Sequence, residues 1–472
     1  MIKSLPVFPA FYHKTLLNGG NSMSDSITTL EQLKAKVNTS GSARTRLTYL
    51  FDDGNFTELD TYLTAGSGLA GVITAFGYVE GNPVYAFSQD VDEKDGAMTS
   101  VQAEKIAKVY DLAAKTGVPL VGIFDSLGAD VSNSGEALNA YGKLLMWASN
   151  LSGVVPQISV VAGTCSGCSA ILAETADFTI VTEDAKFYVA PNGKDNYAEI
   201  AAENGTASVV AKDDKEAVEK AKEILNKLPQ NNLSPVPMYE FAEPSANSGV
   251  EAVFDAESLT EISADYGKSA YTALATLGGA TVGVISTDKT EDKLTADDCT
   301  KIARFVRTCD AYAIPVVTFV DTEGFEADET AGAVKSMSMV AHAYAEATTI
   351  KVSVVTGKAY GAAFMALAGK GANADLTYAL ESAVISALNP VTAVEFLNHD
   401  ALKGAKDLNS ERNALADKYA KEQASAALAA AEGCVDGVIG TSEIRKTLVN
   451  SIEILAGKRL SRLPKKHSNI QL

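Results

Sequence analysis

The sequence predicts an α/β protein in which one unit of strands and helices occurs twice. The first observation is the stretch 158–181, in which an apolar β-branched run is followed by a turn of small residues, a short helix rich in small apolar residues and a second strand. Residues 351–380 repeat this pattern in the same order. The turn glycines Gly163 and Gly167 recur at a constant offset of 194 residues (357 − 163 and 361 − 167). A fixed offset of this kind indicates an internal duplication.

The second observation extends the duplication to the helix and strand that precede each turn. Residues 105–125 and 301–321, at an offset of 196 (301 − 105), both contain a helical pattern, an X-Pro step, a buried strand and a final aspartate. Residues 50–59 are similar to 253–262 in the same way. Chance similarity between two α/β halves is the alternative, and the shared order of elements argues against it. Residues 228–249 contain four prolines, and we interpret them as the linker between the halves.

Each half is predicted to begin with strands and to continue with alternating helices and strands. The first half is predicted to contain strands at 72–76, 84–87 and 119–125, helices at 101–115, 135–151 and 213–228, and the turn region at 158–181. In the second half we interpret 270–285 as a helix end, a turn and a strand, 352–355 as a strand, 411–431 as an alanine-rich helix and 442–456 as the last helix. Residues 1–21 lack an uninterrupted apolar core, so no signal peptide is expected.

Composition restricts the class of protein and its partners. A chain of 472 residues exceeds one ordinary hydrophobic core. A formal net charge of −19 argues against nucleic acid or an anionic membrane surface as a partner. Five cysteines, an odd number, favour a reduced, cytoplasmic protein. Cys165 and Cys168 are spaced like half of a redox or zinc motif, but no second pair follows at zinc spacing. We therefore interpret them as turn residues and expect no metal site.

The two turns are the candidate sites for chemistry. A strand that passes through glycines into a helix leaves the first helical amides without partners, and the helix dipole favours an anion or an oxyanion there. The alternative is a tight turn that only requires small residues. The four histidines accompany no serine or cysteine nucleophile motif, so no side-chain acid or base is evident. We expect backbone amides to stabilise one oxyanion at each turn, with the base supplied by a cofactor or the substrate.

Several separated segments resemble one family, the carboxyltransferase subunits of biotin-dependent acyl-CoA carboxylases and decarboxylases. The first half contributes LFDDGNFTELD, GNPVYAFSQD and SGVVPQISVVAGTCSG, and the second half contributes ARFVRTCDAYAIPVVTFVDTEGF, AYAEATTIKVSVVTGKAYGAA and the terminal LPKKHSNIQL. The resemblance covers residues 43–472. It implies two tandem crotonase-like (ClpP/crotonase) domains of ββα spiral units. In this arrangement, 1–40 is an N-terminal extension with a leading helix, 41–230 an acyl-CoA domain, 231–249 a linker and 250–472 a biotin domain.

The resemblance also implies the reaction and its residues. A carboxyl group passes between biotin and an acyl-CoA thioester, whose enolate captures CO2, and a decarboxylase runs the same half-reaction backwards. Backbone oxyanion holes suffice, and no catalytic side chain is required. Carried onto this chain, Gly167 and Cys168 hold the thioester oxygen, while Ala362 and Ala363, beside Gly361, hold the ureido oxygen of biotin. The positions expected to contact the cofactor are Gly163, Ser166, Tyr360 and Phe364.

The same resemblance implies the partners. Biotin is expected on a separate biotin carboxyl carrier protein, with a biotin carboxylase or a membrane decarboxylase subunit as a further component. Coenzyme A thioesters are the expected substrates, and no nucleic acid is expected. The family's site joins the first domain of one subunit to the second domain of another, so the chain is expected to form a homo-oligomer, a hexamer.

The chain departs from the family pattern near both turns. Cys168 and Ala362 stand where the family has glycine, Gly357 and Asp130 stand where it has arginine, and residues 91–98 replace a glycine-rich loop. Because these changes affect coenzyme and biotin positions, a non-catalytic paralogue that acts as an assembly subunit is the alternative function.

An enoyl-CoA hydratase-like enzyme of the same fold is a third reading. It requires carboxylates near the first turn, where only Glu174 and Asp125 are candidates. Asp125 ends a strand and Glu174 lies past the helix start, so this reading is disfavoured.

We predict that the purified chain carries no biotin of its own. The family attaches biotin to a lysine between two methionines, and the sequence contains no Met-Lys-Met. A streptavidin blot of the chain from its native host is expected to be blank. A band at the mass of the chain would refute this prediction.

Overall fold

The computed structural model describes residues 29–66, 68–191, 193, 195–246, 249–290, 293–326, 332–371, 374–460 and 463–469. Most of the predicted N-terminal extension, residues 1–28, lies outside this set. The chain separates into two compact units, residues 1–37 and 38–472. In the first unit, helix α1 (Leu30–Lys34) begins at a capping box formed by Thr29 and Gln32. All further elements belong to the second unit.

The first half of the second unit is organised around an eight-stranded sheet. The strands are β1 (Phe56–Leu59), β2 (Thr64–Ala65), β3 (Gly68–Leu69), β4 (Val72–Val79), β5 (Asn82–Gln89), β6 (Leu120–Ser126), β7 (Gln157–Ser166), β8 (Phe178–Thr182), β9 (Lys186–Tyr188) and β10 (Val209–Ala211). Their order in the sheet is β1-β4-β5-β6-β7-β8-β10, with β9 paired to β7 and with β2 and β3 in a separate ribbon. The β1, β4 and β5 pairs are antiparallel, and those from β5 to β10 are parallel.

The second half contains a sheet of the same order. Its strands are β11 (Thr260–Glu261), β12 (Tyr271–Leu277), β13 (Ala280–Ser286), β14 (Val316–Thr322), β15 (Lys351–Tyr360), β16 (Leu376–Leu380), β17 (Val384–Ser386) and β18 (Gly437–Ile439). The order is β11-β12-β13-β14-β15-β16-β18, with β17 paired to β15. Each strand therefore occupies the place of its counterpart in the first sheet. The prediction of an α/β protein with a duplicated unit is confirmed, whereas the domain boundaries stay a prediction.

Helices connect the strands of both sheets. They are α2 (Ser42–Leu50), α3 (Ser100–Thr116), α4 (Ser134–Leu151), α5 (Cys168–Ala173), α6 (Tyr197–Glu203), α7 (Asp214–Lys227), α8 (Ala296–Ala311), α9 (Ala333–Glu346), α10 (Gly361–Leu367), α11 (Pro390–Leu397), α12 (His399–Lys403), α13 (Leu408–Gln423), α14 (Ala426–Ala431) and α15 (Ile444–Leu455). None of the helices in the described part of the chain is long and apolar enough to cross a membrane.

Two predictions of local structure are wrong in detail. Residues 270–285 form the antiparallel hairpin of β12 and β13, not a helix end and a strand. Gly278 and Gly279 both have positive φ at its turn, a conformation that glycine adopts without strain. The alanine-rich helix predicted at 411–431 is interrupted between α13 and α14, because the hydroxyl of Ser425 accepts the amide of Leu428 and caps a new helix.

Matched polar contacts repeat in the two halves. Thr99 and Thr295, 196 residues apart, cap α3 and α8. One turn further on, Lys105 donates from Nζ to the carbonyl of Val72 at 2.7 Å. Its counterpart, Lys301, donates to the carbonyl of Ala270 at 2.7 Å and to two further carbonyls. These bonds satisfy buried ammonium groups and fix each helix against the start of a strand.

One hydrophobic core joins the two halves. Leu225 of α7 and Ile302 of α8 belong to the same buried cluster. Tyr312, also in this cluster, donates its hydroxyl to the carbonyl of Val155 at 2.9 Å and to the carboxylate of Asp177 at 2.6 Å. Apolar burial therefore stabilises the two sheets together, and the shared hydrogen bonds fix how they meet.

Asp52 and Asp255 close equivalent hairpin turns but differ in their surroundings. Asp52 accepts two backbone amides of the turn between β4 and β5 at 2.9 Å each. Asp255 accepts the amides of the β12–β13 turn at 3.0 and 2.8 Å and also pairs with Arg445 at 2.7 Å. Burial raises the pKa of Asp255, but the bonds from Arg445 and the amides outweigh burial, so the pKa lies below its usual value.

We predict that Asp255→Asn lowers the free energy of unfolding by about 3 kcal/mol, because it leaves the guanidinium of Arg445 without its anion. The matched variant Asp52→Asn breaks no ion pair and is expected to cost about 1 kcal/mol. Urea-induced unfolding measures both. Because the folded-state pKa is lowered, the contribution of Asp255 is present at neutral pH and is lost as pH falls through that pKa. Equal losses in the two variants would contradict this assignment.

Candidate active site

The first turn begins where two neighbouring parallel strands fall out of register. Between β6 and β7 the register shifts after Phe124, and Asp125 lies in the irregular step. Its carboxylate accepts the backbone amide of Thr164 at 3.1 Å, in place of a bond between the strands. A Cβ atom on Gly163 would lie 2.3 Å from this carboxylate, so only glycine fits here.

The second turn begins in the same way. β14 and β15 shift register between Val320 and Thr322. Asp321, in the irregular step, accepts the amide of Lys358 at 2.8 Å. A Cβ atom on Gly357 would lie 2.3 Å from the Asp321 carboxylate. Gly357, one of the departures from the family pattern, allows this close approach, and a side chain at this position would require Asp321 to shift.

The first turn ends in a helix N-terminus. β7 ends at Ser166, Gly167 has φ +60° and ψ −123°, and α5 begins at Cys168. The amide of Gly167 donates to the carbonyl of Tyr188 at 3.0 Å, and the amide of Ile171 donates to the carbonyl of Gly167 at 3.3 Å. The amide of Cys168 and the two that follow thus form the open end of the helix. Gly167 provides the change in backbone direction and not a free donor, because its own amide is already hydrogen-bonded to Tyr188.

The second turn has the same ending. β15 ends at Tyr360, and α10 begins at Gly361, which has φ +48°. A Cβ atom on Gly361 would lie 2.8 Å from the carbonyl oxygen of Ala387. Ala362 is exposed and Ala363 is fully buried. The amides of residues 361–363 therefore lie at the N-terminus of α10, where they have no partner within the helix. Because Ala362 is exposed, solvent reaches this end of the helix at that residue.

The predicted cofactor-contacting side chains belong to the framework of the turns. The hydroxyl of Ser166 donates to the carbonyl of Leu127 at 2.7 Å. Tyr360 is 9% exposed, and burial raises the pKa of its hydroxyl. Phe364 packs, partly buried, against the core that joins the halves. The structure thus places each residue at its turn, and the predicted contacts with a cofactor stay predictions.

Cys165 and Cys168 have different surroundings. The thiol of Cys165 is fully buried, 3.5 Å from the hydroxyl of Ser169, and burial raises its pKa to about 12. Cys168 is partly exposed at the start of α5. Both are free thiols. Among the described residues, no group of three histidine, cysteine or acidic side chains is arranged to hold a metal ion.

Arg46 is a residue of the first turn that the sequence analysis missed. It is buried on α2 and donates to Asp125 at 2.9 Å, to Asp214 at 2.7 Å and to the carbonyl of Ala162 at 3.1 Å. These bonds fix the carboxylate of Asp125 against the backbone of β7. No motif surrounds Arg46, and Asp214 lies 168 residues away in the chain, so spacing alone could not identify the cluster.

The loop that replaces the family's glycine-rich segment is held by an ion pair. Lys94 and Asp95 both have positive φ, and Lys94 Nζ lies 3.1 Å from the carboxylate of Asp130. Hydrogen bonds from Ser132, and then from Lys94, lower the pKa of Asp130. The adjoining cavity of about 330 Å³ is lined by Asp130, Glu136 and Lys94. Two acids against one cation do not favour phosphate binding there.

The carboxylates that a hydratase-like reaction would need are either engaged in other bonds or lie at the far end of α5. Asp125 is bonded to Arg46 and to the amide of Thr164. Glu174 caps the C-terminal end of α5, opposite to the open amides, and burial raises its pKa to about 7. Neither is therefore free to act at the first turn.

Comparisons with known proteins agree with this architecture. The model of the carboxyl transferase domain family matches residues 38–470. The α subunit of methylmalonyl-CoA decarboxylase from Propionigenium modestum is 33% identical, over 91% of this chain and 93% of its own. The propionyl-CoA carboxylase β chain from Saccharopolyspora erythraea is 33% identical, over 94% and 93%. The crystal structure of transcarboxylase 12S, a hexamer with hydrolysed methylmalonyl-coenzyme A bound, matches with a TM-score of 0.83 and 30% identity, over 91% of this chain and 92% of its own. The chain belongs to the carboxyl transferase domain family.

Proposed function

We propose that this chain is a carboxyltransferase that moves a carboxyl group between biotin, carried on a separate protein, and an acyl-CoA thioester. The single observation that carries the proposal is the pair of duplicated turns, each of which ends a strand in an open helix N-terminus. Relatives at 33% identity are named for methylmalonyl-CoA decarboxylase and propionyl-CoA carboxylase. We therefore expect a short-chain acyl-CoA or its malonyl-type carboxylation product as the substrate.

The residues present fit an oxygen that gains negative charge. Backbone amides at a helix N-terminus are preorganised donors for an oxyanion. At the first turn, no described residue other than the two chain neighbours has a heavy atom within 4 Å of the position that a Cβ on Gly167 would take, which leaves room for a ligand. At the second turn the exposed face of Ala362 provides the corresponding access.

The first turn is assigned to the thioester. The amide of Cys168 would donate to the thioester oxygen, on which negative charge develops as the α-carbon loses its substituent. Its neighbour Gly167, whose own amide is bonded to Tyr188 of β9, allows the change of direction from β7 into α5. Cysteine has the same backbone N–H as the family's glycine. It can occupy this position because a residue in the first turn of a helix needs no positive φ.

The second turn is assigned to biotin. When bound, biotin supplies a ureido oxygen that becomes more negative as the carboxyl group leaves. The amides of Ala362 and Ala363 would hold this oxygen, and Gly361 permits the turn to approach the carbonyl of Ala387. A hydrogen bond that strengthens only as negative charge develops stabilises the transition state more than the ground state, and so it lowers the activation barrier.

The assembly follows from the same assignment. We propose a homo-oligomer in which the first turn of one subunit meets the second turn of another; the transcarboxylase 12S relative is described as a hexamer. The biotin carrier protein and a biotin carboxylase or membrane decarboxylase subunit would complete the system. We place the protein in the cytoplasm, consistent with cysteines that are all free thiols.

The departures from the family pattern support one alternative, a non-catalytic assembly subunit. Gly357 is explained by its contact with Asp321. Asp130 pairs with Lys94, and its negative charge lies where the family has a cation. Because this change of charge affects coenzyme binding, acyl-CoA affinity has to be measured together with turnover.

We predict that Ala362→Pro lowers biotin-dependent carboxyl transfer by about a hundredfold to a thousandfold, because it removes one donor to the ureido oxygen. Ala362→Gly is the matched control, because it keeps the amide, and is expected to transfer within severalfold of the unaltered chain. Proline is tolerated in the first helical turn, so the fold is expected to persist. Transfer is measured with free biotin and a panel of acyl-CoA and malonyl-type thioesters.

Acyl-CoA affinity and melting temperature are measured beside the rates. The thioester lies against the first turn, so acyl-CoA binding is expected to be unchanged in Ala362→Pro. Near-normal transfer in a folded Ala362→Pro protein would exclude this oxyanion hole. An unaltered chain that binds neither biotin nor any acyl-CoA would favour the assembly subunit.

A further inference from the structure

A cavity of about 580 Å³ lies between the two halves of the chain, away from both turns. Thr179 and Ser208 contribute to its wall from the first half, and Ser263 and Arg304 contribute from the second. The amide of Ser263 donates to the carbonyl of Ser208 at 2.7 Å. The guanidinium of Arg304 donates to the carbonyl of Ala176 at 2.9 Å. Both halves thus hold the cavity open through polar contacts at its edge.

Comparison of the two halves shows that a carboxylate present in the first half has no equivalent in this cavity wall. In the first half Lys108, on α3, pairs with Asp60 at 2.7 Å, both of whose carboxylate oxygens accept from Nζ. In the second half, Arg304 is equivalent to Lys108, at the offset of 196 (304 − 108). Ser263 is equivalent to Asp60, at the offset of 203 (263 − 60) that also relates residues 50–59 to 253–262. Asp60 and Ser263 have the same left-handed backbone, with φ +50° and +55°. The second half therefore has a cation and the same loop shape at these positions, but no carboxylate.

No other acidic side chain of the described residues takes that place. Glu174 and Asp177 line the same cavity, but neither has a carboxylate oxygen within 4.0 Å of Arg304. Asp177 already accepts the hydroxyl of Tyr312 at 2.6 Å and the amide of Gln157 at 2.9 Å. Arg304 lines the cavity, is exposed to solvent and, among the described residues, has one carbonyl as its hydrogen-bond acceptor. The planar guanidinium fork of arginine matches a carboxylate.

We propose that this cavity binds a small organic carboxylate, anchored by Arg304 in the position that the Asp60 carboxylate occupies in the first half. This site is separate from the two turns, and ligand binding there does not depend on the proposed transfer reaction. Because both halves line the cavity, a bound carboxylate would link α8 of the second half to the C-terminal end of α5.

The groups around the cavity predict how binding depends on pH. Burial raises the pKa of Glu174 to about 7, against the opposing effects of Arg304 and Thr179. Burial also raises the pKa of Asp177 and lowers that of Lys301 to about 8, and it raises that of Tyr266 to about 12. As pH falls through the pKa of Glu174, a negative charge facing the ligand is lost. Carboxylate affinity is therefore expected to rise from about pH 7.5 to about pH 6.

The test is isothermal titration of the full-length chain with sodium succinate, sodium acetate and sodium sulfate, with sodium chloride at matched ionic strength as the reference. A saturable, carboxylate-dependent signal is expected for the unaltered chain. Arg304→Gln is expected to raise the dissociation constant by at least about tenfold, because a charge-assisted bond pair is lost. Arg307→Gln, on the same helix but lining a different cavity, is the matched control and is expected to bind normally.

Ser263→Asp gives the decisive variant, because it restores the carboxylate of the first half in a backbone conformation that aspartate tolerates. It is expected to abolish carboxylate binding without lowering the melting temperature. Glu174→Gln is expected to bind at about pH 7.5 as tightly as the unaltered chain does at about pH 6. The proposal is overturned if the unaltered chain shows no carboxylate-dependent signal, if sulfate binds equally well, or if Ser263→Asp binds succinate normally.

Discussion

The position of each candidate turn depends on one carboxylate at the point where two parallel strands fall out of register. Asp125 and Asp321 each accept the backbone amide that the irregularity leaves without a strand partner. Each hydrogen bond stabilises the irregular step in one conformation, and it contributes more at the partly buried first turn than at the exposed second turn. The glycine beside each carboxylate follows from the same contact, because a Cβ atom there would lie 2.3 Å from the carboxylate. The direction of the chain into the following helix, and hence of its open amides, depends on this arrangement.

The two halves secure this arrangement differently. Asp125 is also bound by the buried guanidinium of Arg46, which reaches Asp214 at 2.7 Å. In the described part of the chain no cation lies within 4.0 Å of Asp321; the nearby Lys358 instead pairs with Glu323 at 2.9 Å. The first turn is therefore enclosed by a buried ionic cluster and the second is more open. This difference accords with the proposed assignment of the thioester to the first turn and of a cofactor carried by a separate protein to the second.

The sequence predicted the duplicated α/β fold because strand and helix periodicities, glycine spacing and the X-Pro steps all recur at nearly constant offsets. It did not predict the β12–β13 hairpin, because a stretch of alanine, threonine and glycine has no clear alternation of polar and apolar residues. The candidate turns were found from their local pattern, its recurrence at an offset of 194 residues and the resemblance to the family. Arg46 could not be, because its partners come together only in the folded chain. The bond from the Gly167 amide to Tyr188 was equally inaccessible to sequence. It changes the proposed donor at the first turn to Cys168.

The central claim is that catalysis uses backbone amides from two turns, one from each of two subunits. The most direct measurement mixes a Cys168→Pro chain with an Ala362→Pro chain after dissociation and reassembly, with a different tag on each. Each variant alone is expected to retain about 1% of the transfer rate or less. Random pairing restores one intact site in half of the pairs, or about a quarter of the full activity. Mixed assemblies that co-purify through both tags and yet remain inactive would contradict the account.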